Sequence, residues 1–346
     1  MTDNRSNRRA GLPERMTAVQ LERDGGPLTA RELPVPRPAR GEVLIRMAAA
    51  PINPSDLGFL AGSYVVQRRL PVVPGFEGSG TVVAAGRGLL PRLLVGRRVA
   101  VALGQGGTWA QYVVSPAMRC IPLTKKVSLE QASTLIVNPL TALAFFDMAR
   151  QGRHAAIVSN AAASALGRMI VRLGRLHGIP IINIVRRPDQ AALLRTLGAE
   201  HILDSSGEPF AAQLRELAHR LRATLLLDAV GGAHTRILVE AAPVRSTIVA
   251  YAALAGEPSV FSPRTLIGDD KKIVGFYLGH WVARKGLVRI LRDVVRVQRL
   301  AGAELQTTVH RRFPLSAAQE AVETYRRDQT AGKVLLVADP QQVPLE

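Results

Sequence analysis

The chain has 346 residues, 47% of them hydrophobic, which is enough for two domains with separate cores. No apolar run approaches the roughly 20 residues a membrane-spanning helix requires. The opening stretch MTDNRSNRRAGLPER lacks the apolar segment of a secretory signal, and a lone Cys120 rules out an internal disulfide, so a cytoplasmic protein is the expectation. The formal net charge of +18 would suit nucleic acid, but the arginines are scattered outside the cluster Arg5, Arg8, Arg9 and Arg15. No zinc-finger spacing, ribonucleoprotein signature or aromatic stripe accompanies them. A basic surface equally suits dinucleotides, coenzyme A esters or an acidic carrier protein.

Residues 1–15 read as a disordered polar tail. From Met16 to Val114, short runs punctuated by glycine and proline (17–22, 42–50, 80–86, 97–103 and 108–114) predict an all-β, partly closed module. Within it Asn53-Pro54-Ser55-Asp56 predicts a turn or short helix, with Asp56 as the cap of the next few residues, and 58–64 an exposed loop ending at the Tyr64 hydroxyl.

After Ser128 the pattern changes to long αβ units. Residues 129–150 are helical in period, with a kink predicted at Asn138-Pro139. Next comes a βαβ unit. Residues 155–159 form a strand, Asn160 to Ser164 a turn of small residues, and Leu166, Ile170, Leu173 and Leu176 one face of a helix that Gly178 stops; a second strand covers 179–185. Helices at 188–197 and 208–221, strands at 201–203, 224–228, 246–251 and 272–276, and a long helix at 284–300 (apolar at Leu287, Ile290, Leu291, Val294 and Val297) complete the unit. The tail reads strand, helix, strand, returning to the first module. The alternation predicts an α/β fold with a doubly wound parallel sheet, its ligand at the carboxyl ends of the strands.

The chemistry narrows by elimination. The seven histidines show no metal-binding spacing, and neither a G-x-S-x-G elbow nor a G-x-x-x-x-G-K-[ST] loop occurs. The helix start after residue 164 leaves backbone N–H groups free to hold a phosphate. A turn of small residues serves plain helix–strand packing as readily.

INPSDLGFLAGSY (52–64), LPVVPGFEGSGTVVAAG (70–86), GTWAQYVV (107–114), VNPLTA (137–142), LGAEHILD (197–204), AVGG (229–232) and GFYLGHW (275–281) together resemble the medium-chain dehydrogenase/reductases. The likeness is greatest to the zinc-free branch of quinone oxidoreductases and mitochondrial-type 2-enoyl thioester reductases. It implies a GroES-like partly closed β-barrel catalytic domain (16–131 and 305–346), a Rossmann dinucleotide-binding domain (132–304) and a homodimer. Zinc-dependent relatives carry Cys and His where this chain has Asn53 and Phe76, which cannot replace those ligands, so no metal is expected.

The resemblance places Asn138, Thr141, Asn160, Ala161, Ser164, Ala165, Leu166, Gly167, Arg186, Arg187, Val230, Tyr251 and Lys333 at the cofactor. Arg186 and Arg187 stand where NAD sites place an acidic residue, which favours NADPH through its 2′-phosphate. Arg186 matches the family position better; two solvated arginines are the other reading. Ser164-Ala165-Leu166-Gly167 departs from the family's paired glycines, and a methyl at Ala165 would displace the turn or weaken binding.

The implied reaction adds hydride to the β-carbon of an activated alkene and a proton to the α-carbon. Tyr64 would be the donor to the carbonyl, Asn53 and Asp56 would share its loop in the catalytic set, and Phe276, Leu278 and Trp281 would line the substrate pocket. Trp281 reads equally well as core. A 2-enoyl thioester of coenzyme A or acyl carrier protein is the leading substrate. A quinone is the alternative, and a non-catalytic nucleotide-sensing or RNA-binding role is the reading from another class.

Overall fold

The structure, a computed structural model, describes residues 11–345. The first ten residues of the expected tail and the side chain of Leu287 lie outside that description. The remainder of the tail is short, because a strand already begins at Arg15.

The first part of the chain runs β1 (Arg15–Leu21), β2 (Leu28–Pro34), β3 (Glu42–Pro51), α1 (Pro54–Leu60), β4 (Glu77–Ala85), α2 (Leu89–Leu94), β5 (Arg98–Ala102), β6 (Tyr112–Pro116), β7 (Cys120–Pro122) and α3 (Leu129–Ser133). The second runs α4 (Val137–Gln151), β8 (Ile157–Ser159), α5 (Ala165–His177), β9 (Ile181–Val185), α6 (Pro188–Thr196), β10 (His201–Asp204), α7 (Phe210–Arg220), β11 (Leu225–Asp228), α8 (Ala233–Ala241), β12 (Thr247–Ala250), α9 (Pro263–Gly268), β13 (Lys272–Gly275), α10 (Leu278–Arg284) and α11 (Leu287–Leu300). The chain ends with β14 (Val309–Pro314), α12 (Ala318–Arg327) and β15 (Lys333–Val337).

β3 explains its own apolar run. It pairs antiparallel with β4, β6 and β15, so nearly every residue from Val43 to Pro51 is buried. The return of β14 and β15 to this sheet brings the end of the chain beside residues 50–53, and that return carries Lys333 to the site.

The other sheet has six parallel strands in the order β10-β9-β8-β11-β12-β13. The order reverses between β8 and β11, which opens a crevice at their carboxyl ends. Helices α4 and α5 bury Leu143, Phe146, Met169, Ile170 and Leu173 with Ile157 of β8 in one core. Gly178 ends α5 in the left-handed region at φ 63°.

Three local readings change. Pro139 does not kink a helix; it is the third residue of α4, where its missing N–H has no intrahelical partner to lose, and the break lies at 134–136. Asn53, not Asp56, occupies the cap position of α1, and residues 58–60 belong to that helix, so the exposed loop begins at Ala61. Several elements escape the periodicity argument because they are short, among them β2, α2, β7 and α9.

Candidate active site

The first half of the site is a buried polar network at the start of α1. The Asp56 carboxylate accepts from the Asn53 N–H (2.7 Å) and the Phe76 N–H (3.2 Å). The Asn53 amide donates to Glu77 Oε1 at 3.0 Å. Glu77 Oε2 accepts from the N–H groups of Ile136 (3.2 Å) and Val137 (2.9 Å), so a carboxylate sits at the positive end of α4. The Lys333 ammonium donates to the Ile52 carbonyl (3.1 Å) and to Asn53 Oδ1, with the Tyr325 ring 5.6 Å away.

Asn53, Asp56, Glu77 and Lys333 are each 1% exposed or less. Burial pushes Asp56 up to about 7, against the lowering effect of the Asn53 N–H and Lys333. It raises Glu77 as well and drives Lys333 down to about 8, with both carboxylates pulling it back. The network joins four segments of the chain: the α1 loop, the start of β4, the start of α4 and β15.

This geometry places three of the expected site residues, Asn53, Asp56 and Lys333, in one network. The Asn53 and Asp56 side chains bond inside the network, where they hold the loop that carries Tyr64. Lys333, expected at the cofactor, is buried and held by Ile52 and Asn53. Glu77 was missed altogether. Its one signal was an acidic residue inside the otherwise apolar and small stretch PGFEGSG.

Tyr64 lies at the mouth of this network. Its ring packs against Phe76 at 5.1 Å, and Phe76 in turn meets Phe59 edge-on at 5.1 Å. Partial burial, helped by nearby Tyr277 and Asp56, pushes the phenol up to about 12. It therefore stays protonated at neutral pH, as a hydrogen-bond donor must.

The second half is the turn between β8 and α5. Ser164 caps α5 by accepting from Gly167 N–H at 3.1 Å, which leaves the N–H groups of Ala165 and Leu166 without intrahelical acceptors. Ala161 takes φ 49°, a conformation usually left to glycine, and a Cβ at Gly167 would lie 2.2 Å from the Ala162 carbonyl oxygen. The turn is thus tight despite its alanines, and Gly167 sits where a side chain has no room. Arg168 braces it, donating to the carbonyls of Ala163 (2.9 Å) and Thr330.

Asn160, expected at the cofactor, directly follows β8 at the start of this turn. It is fully buried, with its amide donating to Asp228 Oδ1 and accepting from Ala229 N–H, both at 2.7 Å, so it joins β8 to β11. The same Asp228 oxygen accepts from the N–H groups of Val230 (3.0 Å) and Gly231 (2.9 Å), fixing the AVGG turn at the crevice. Asp228 was not anticipated.

At the end of β9, Arg187 is tied to Asp189 (3.0 and 3.2 Å) and to Thr330 (3.1 Å). Arg186 makes no ion pair among the described residues and is exposed. Of the two, Arg186 is the free cation.

Farther along the crevice, Thr141 back-bonds to Val137 O at 2.7 Å, and Asn138 lies beside it at the start of α4. Phe145 stands between Tyr251 and Phe276, 5.0 Å from each ring. Phe276, Leu278 and Trp281 are half-buried against the core of the parallel sheet, and Lys285 covers the Trp281 ring at 3.7 Å. Trp281 is thus braced from both sides by core and cation. No group of three or more His, Cys, Asp or Glu side chains able to hold a metal occurs among the described residues.

Residues 39–125 match the alcohol dehydrogenase GroES-like domain and 165–293 the zinc-binding dehydrogenase domain. The human mitochondrial enoyl-[acyl-carrier-protein] reductase is 32% identical over 343 residues, 94% of this chain and 89% of the relative. The Xenopus tropicalis protein of the same name is 32% identical over 291 residues, 79% and 82% of the two chains. The chain belongs to the zinc-free branch of the medium-chain dehydrogenase/reductases. Among solved members, a Mesorhizobium loti protein assigned as an NADPH:quinone reductase superposes with a TM-score of 0.87 at 34% identity, covering 94% of this chain and 99% of that one. The quinone oxidoreductase of Thermus thermophilus, solved also with NADPH, gives a TM-score of 0.76 at 28% identity, covering 93% and 100%. In this branch member, Asn53 and Phe76 stand where zinc-dependent enzymes place ligands, and Asn53 serves the buried network instead.

Proposed function

We propose that this oxidoreductase uses NADPH to reduce the activated double bond of a 2-enoyl thioester, carried on coenzyme A or an acyl carrier protein. The observation that carries the reading is Tyr64. It is a protonated phenol on a loop anchored, through Asp56 and Asn53, to the same Glu77 that holds the start of α4. With it we carry forward the division into a catalytic domain (16–131 and 305–346) and a nucleotide domain (132–304), a homodimer, and a cytoplasmic setting. No helix among the described residues is long and apolar enough to cross a membrane.

The residues present fit the cofactor. The free N–H groups of Ala165 and Leu166 would take the pyrophosphate, Arg186 the 2′-phosphate, and Asn138 and Thr141 would lie by the nicotinamide. When bound, NADPH supplies the hydride. The protein's part is to orient the alkene against it, with Phe276, Leu278 and Trp281 along the acyl chain, and to donate the Tyr64 O–H to the carbonyl oxygen as negative charge builds there. Without that donor the enolate would form unpaired in a half-buried site. The net charge of +18 suits an acidic substrate or carrier.

Steady-state turnover of crotonyl-coenzyme A and longer 2-enoyl esters, measured beside a panel of quinones, tests the substrate. The expected result is NADPH oxidation with the esters. Quinone turnover with silent esters would replace this reading with the quinone reductase that the solved relatives' names suggest. Absence of saturable NADPH binding at sub-millimolar concentration would favour a non-catalytic member of the fold.

Cofactor choice is tested at Arg186. Losing a charge-assisted hydrogen bond costs about 1.5–3 kcal/mol, so Arg186→Ala should raise the NADPH Kd about 10- to 100-fold and leave NADH unchanged. Arg187→Ala, whose partner is already Asp189, should change it little. Equal losses for both cofactors would remove Arg186 from the 2′-phosphate site.

A further inference from the structure

Between Glu77 and Glu130 the chain contains no aspartate or glutamate, yet it holds Arg87, Arg92, Arg97, Arg98, Arg119, Lys125 and Lys126. The same stretch has an inverted helix. α2, LLPRLL, buries only Pro91 and Leu94 and turns Leu89 (76% exposed), Leu90 and Leu93 (61%) outward. The short turn Ala117–Arg119 packs against α2 and adds Met118, 71% exposed, while Val95 extends the patch past the helix end. Five large apolar side chains therefore stand out together, where scattered single ones would need no explanation.

Their surroundings are cationic. Arg40, Arg87 and Arg92 line a shallow cavity of about 360 Å³ beside the patch. None of Arg40, Arg87, Arg92, Arg97 and Arg119 forms an ion pair among the described residues. Glu42, the acidic residue nearest Arg40 in sequence, is turned to the Ala39 N–H at 2.9 Å.

We propose that this face docks on an anionic lipid surface. Leu89, Leu93 and Met118 insert among the acyl chains, and the arginines engage phosphate-bearing headgroups. Exposed apolar side chains bordered by unpaired arginines suit a bilayer interface, whose headgroups are anionic and whose interior is apolar. The cavity at the patch is polar and arginine-lined, so it offers a headgroup a seat but gives no apolar cleft for a partner's helix. The surface lies on the antiparallel-sheet side of the molecule and uses no residue of the catalytic or cofactor machinery.

Flotation of the full chain with vesicles decides the matter. With equal phosphatidylcholine and phosphatidylglycerol at low salt the protein should float, and pure phosphatidylcholine should leave it behind. Half-molar salt should release most of it. Leu89→Ser with Leu93→Ser should weaken binding at least tenfold. Arg87→Gln, Arg92→Gln and Arg119→Gln together should weaken it about 100-fold, since each arginine near such a surface is worth about fivefold. Neither set should alter turnover without vesicles, and thermal melting checks that both remain folded. The proposal is overturned if anionic vesicles fail to bind the wild type, or if both variants bind as it does. It is equally overturned if the leucine variant splits a wild-type oligomer in sedimentation, which would make this face a contact between copies.

Discussion

Tyr64→Phe is expected to lower kcat on a 2-enoyl thioester about 10²- to 10³-fold while leaving the NADPH Kd within about twofold. That range is what removing one preorganised donor to a developing oxyanion costs. The substitution keeps the ring and its packing on Phe76, so the loop should hold its place and the loss isolates the hydroxyl. Burial has pushed that phenol up to about 12, so it cannot act as a base near neutral pH and its contribution is donation. A pH profile of kcat should accordingly show no limb from Tyr64 below about 10. Unchanged turnover in the phenylalanine variant would remove Tyr64 from the mechanism, and a large rise in the NADPH Kd would show that the loop had moved.

Lys333→Met should cost about 3 kcal/mol or more of folding stability at pH 8.5, because it leaves Asp56 and Glu77 buried without their cation. The pH dependence has a defined sign. Asp56 binds its proton more tightly in the folded chain, up to about 7 against an ordinary 3.8, so its contribution is present in acid and is lost as pH rises through 7. Without Lys333 the carboxylates titrate higher still, and that loss deepens. In the wild type, Lys333 is depressed to about 8, so between there and its ordinary 10.5 the unfolded chain binds more protons and wild-type stability rises with pH. Both effects widen the deficit as pH increases, and urea unfolding at pH 5.5 and 8.5 should find it small at the first and large at the second. A deficit that ignores pH would argue against the network. A variant of normal stability with weakened NADPH binding would place the role of Lys333 at the cofactor instead of in the network.

The parallel sheet was legible because its inner strands, such as β9 and β11, are short, nearly continuous apolar runs, and each strand is separated from the next by enough chain for a crossover. The stop at Gly178 and the small-residue turn before α5 were legible for the same local reason. Helices such as α2 and α9 were not, since six residues are too few to show a period, and α2 presents its leucines outward.

Site residues divide along the same line. Arg186 could be read from its place after an apolar strand, but that Arg187 is occupied required seeing Thr330 from the far end of the chain reach it. Motif likeness brought Asn53, Asp56, Asn160 and Lys333 to the site. It could not say that Lys333 meets Asn53, 280 residues away, or that Asn160 meets Asp228, 68 residues away.

What the sequence determined by itself is whatever depends on local pattern and residue chemistry. This covers the α/β alternation, the phosphate-type turn, the arginine at the strand end, and the lack of zinc ligands at positions 53 and 76. Only the tertiary structure decided which charged groups are buried together. A charge's role depends on its distance from other charges and from water, and pairing β15 with β3 brought Lys333 to Asn53 and into the field of Asp56 and Glu77.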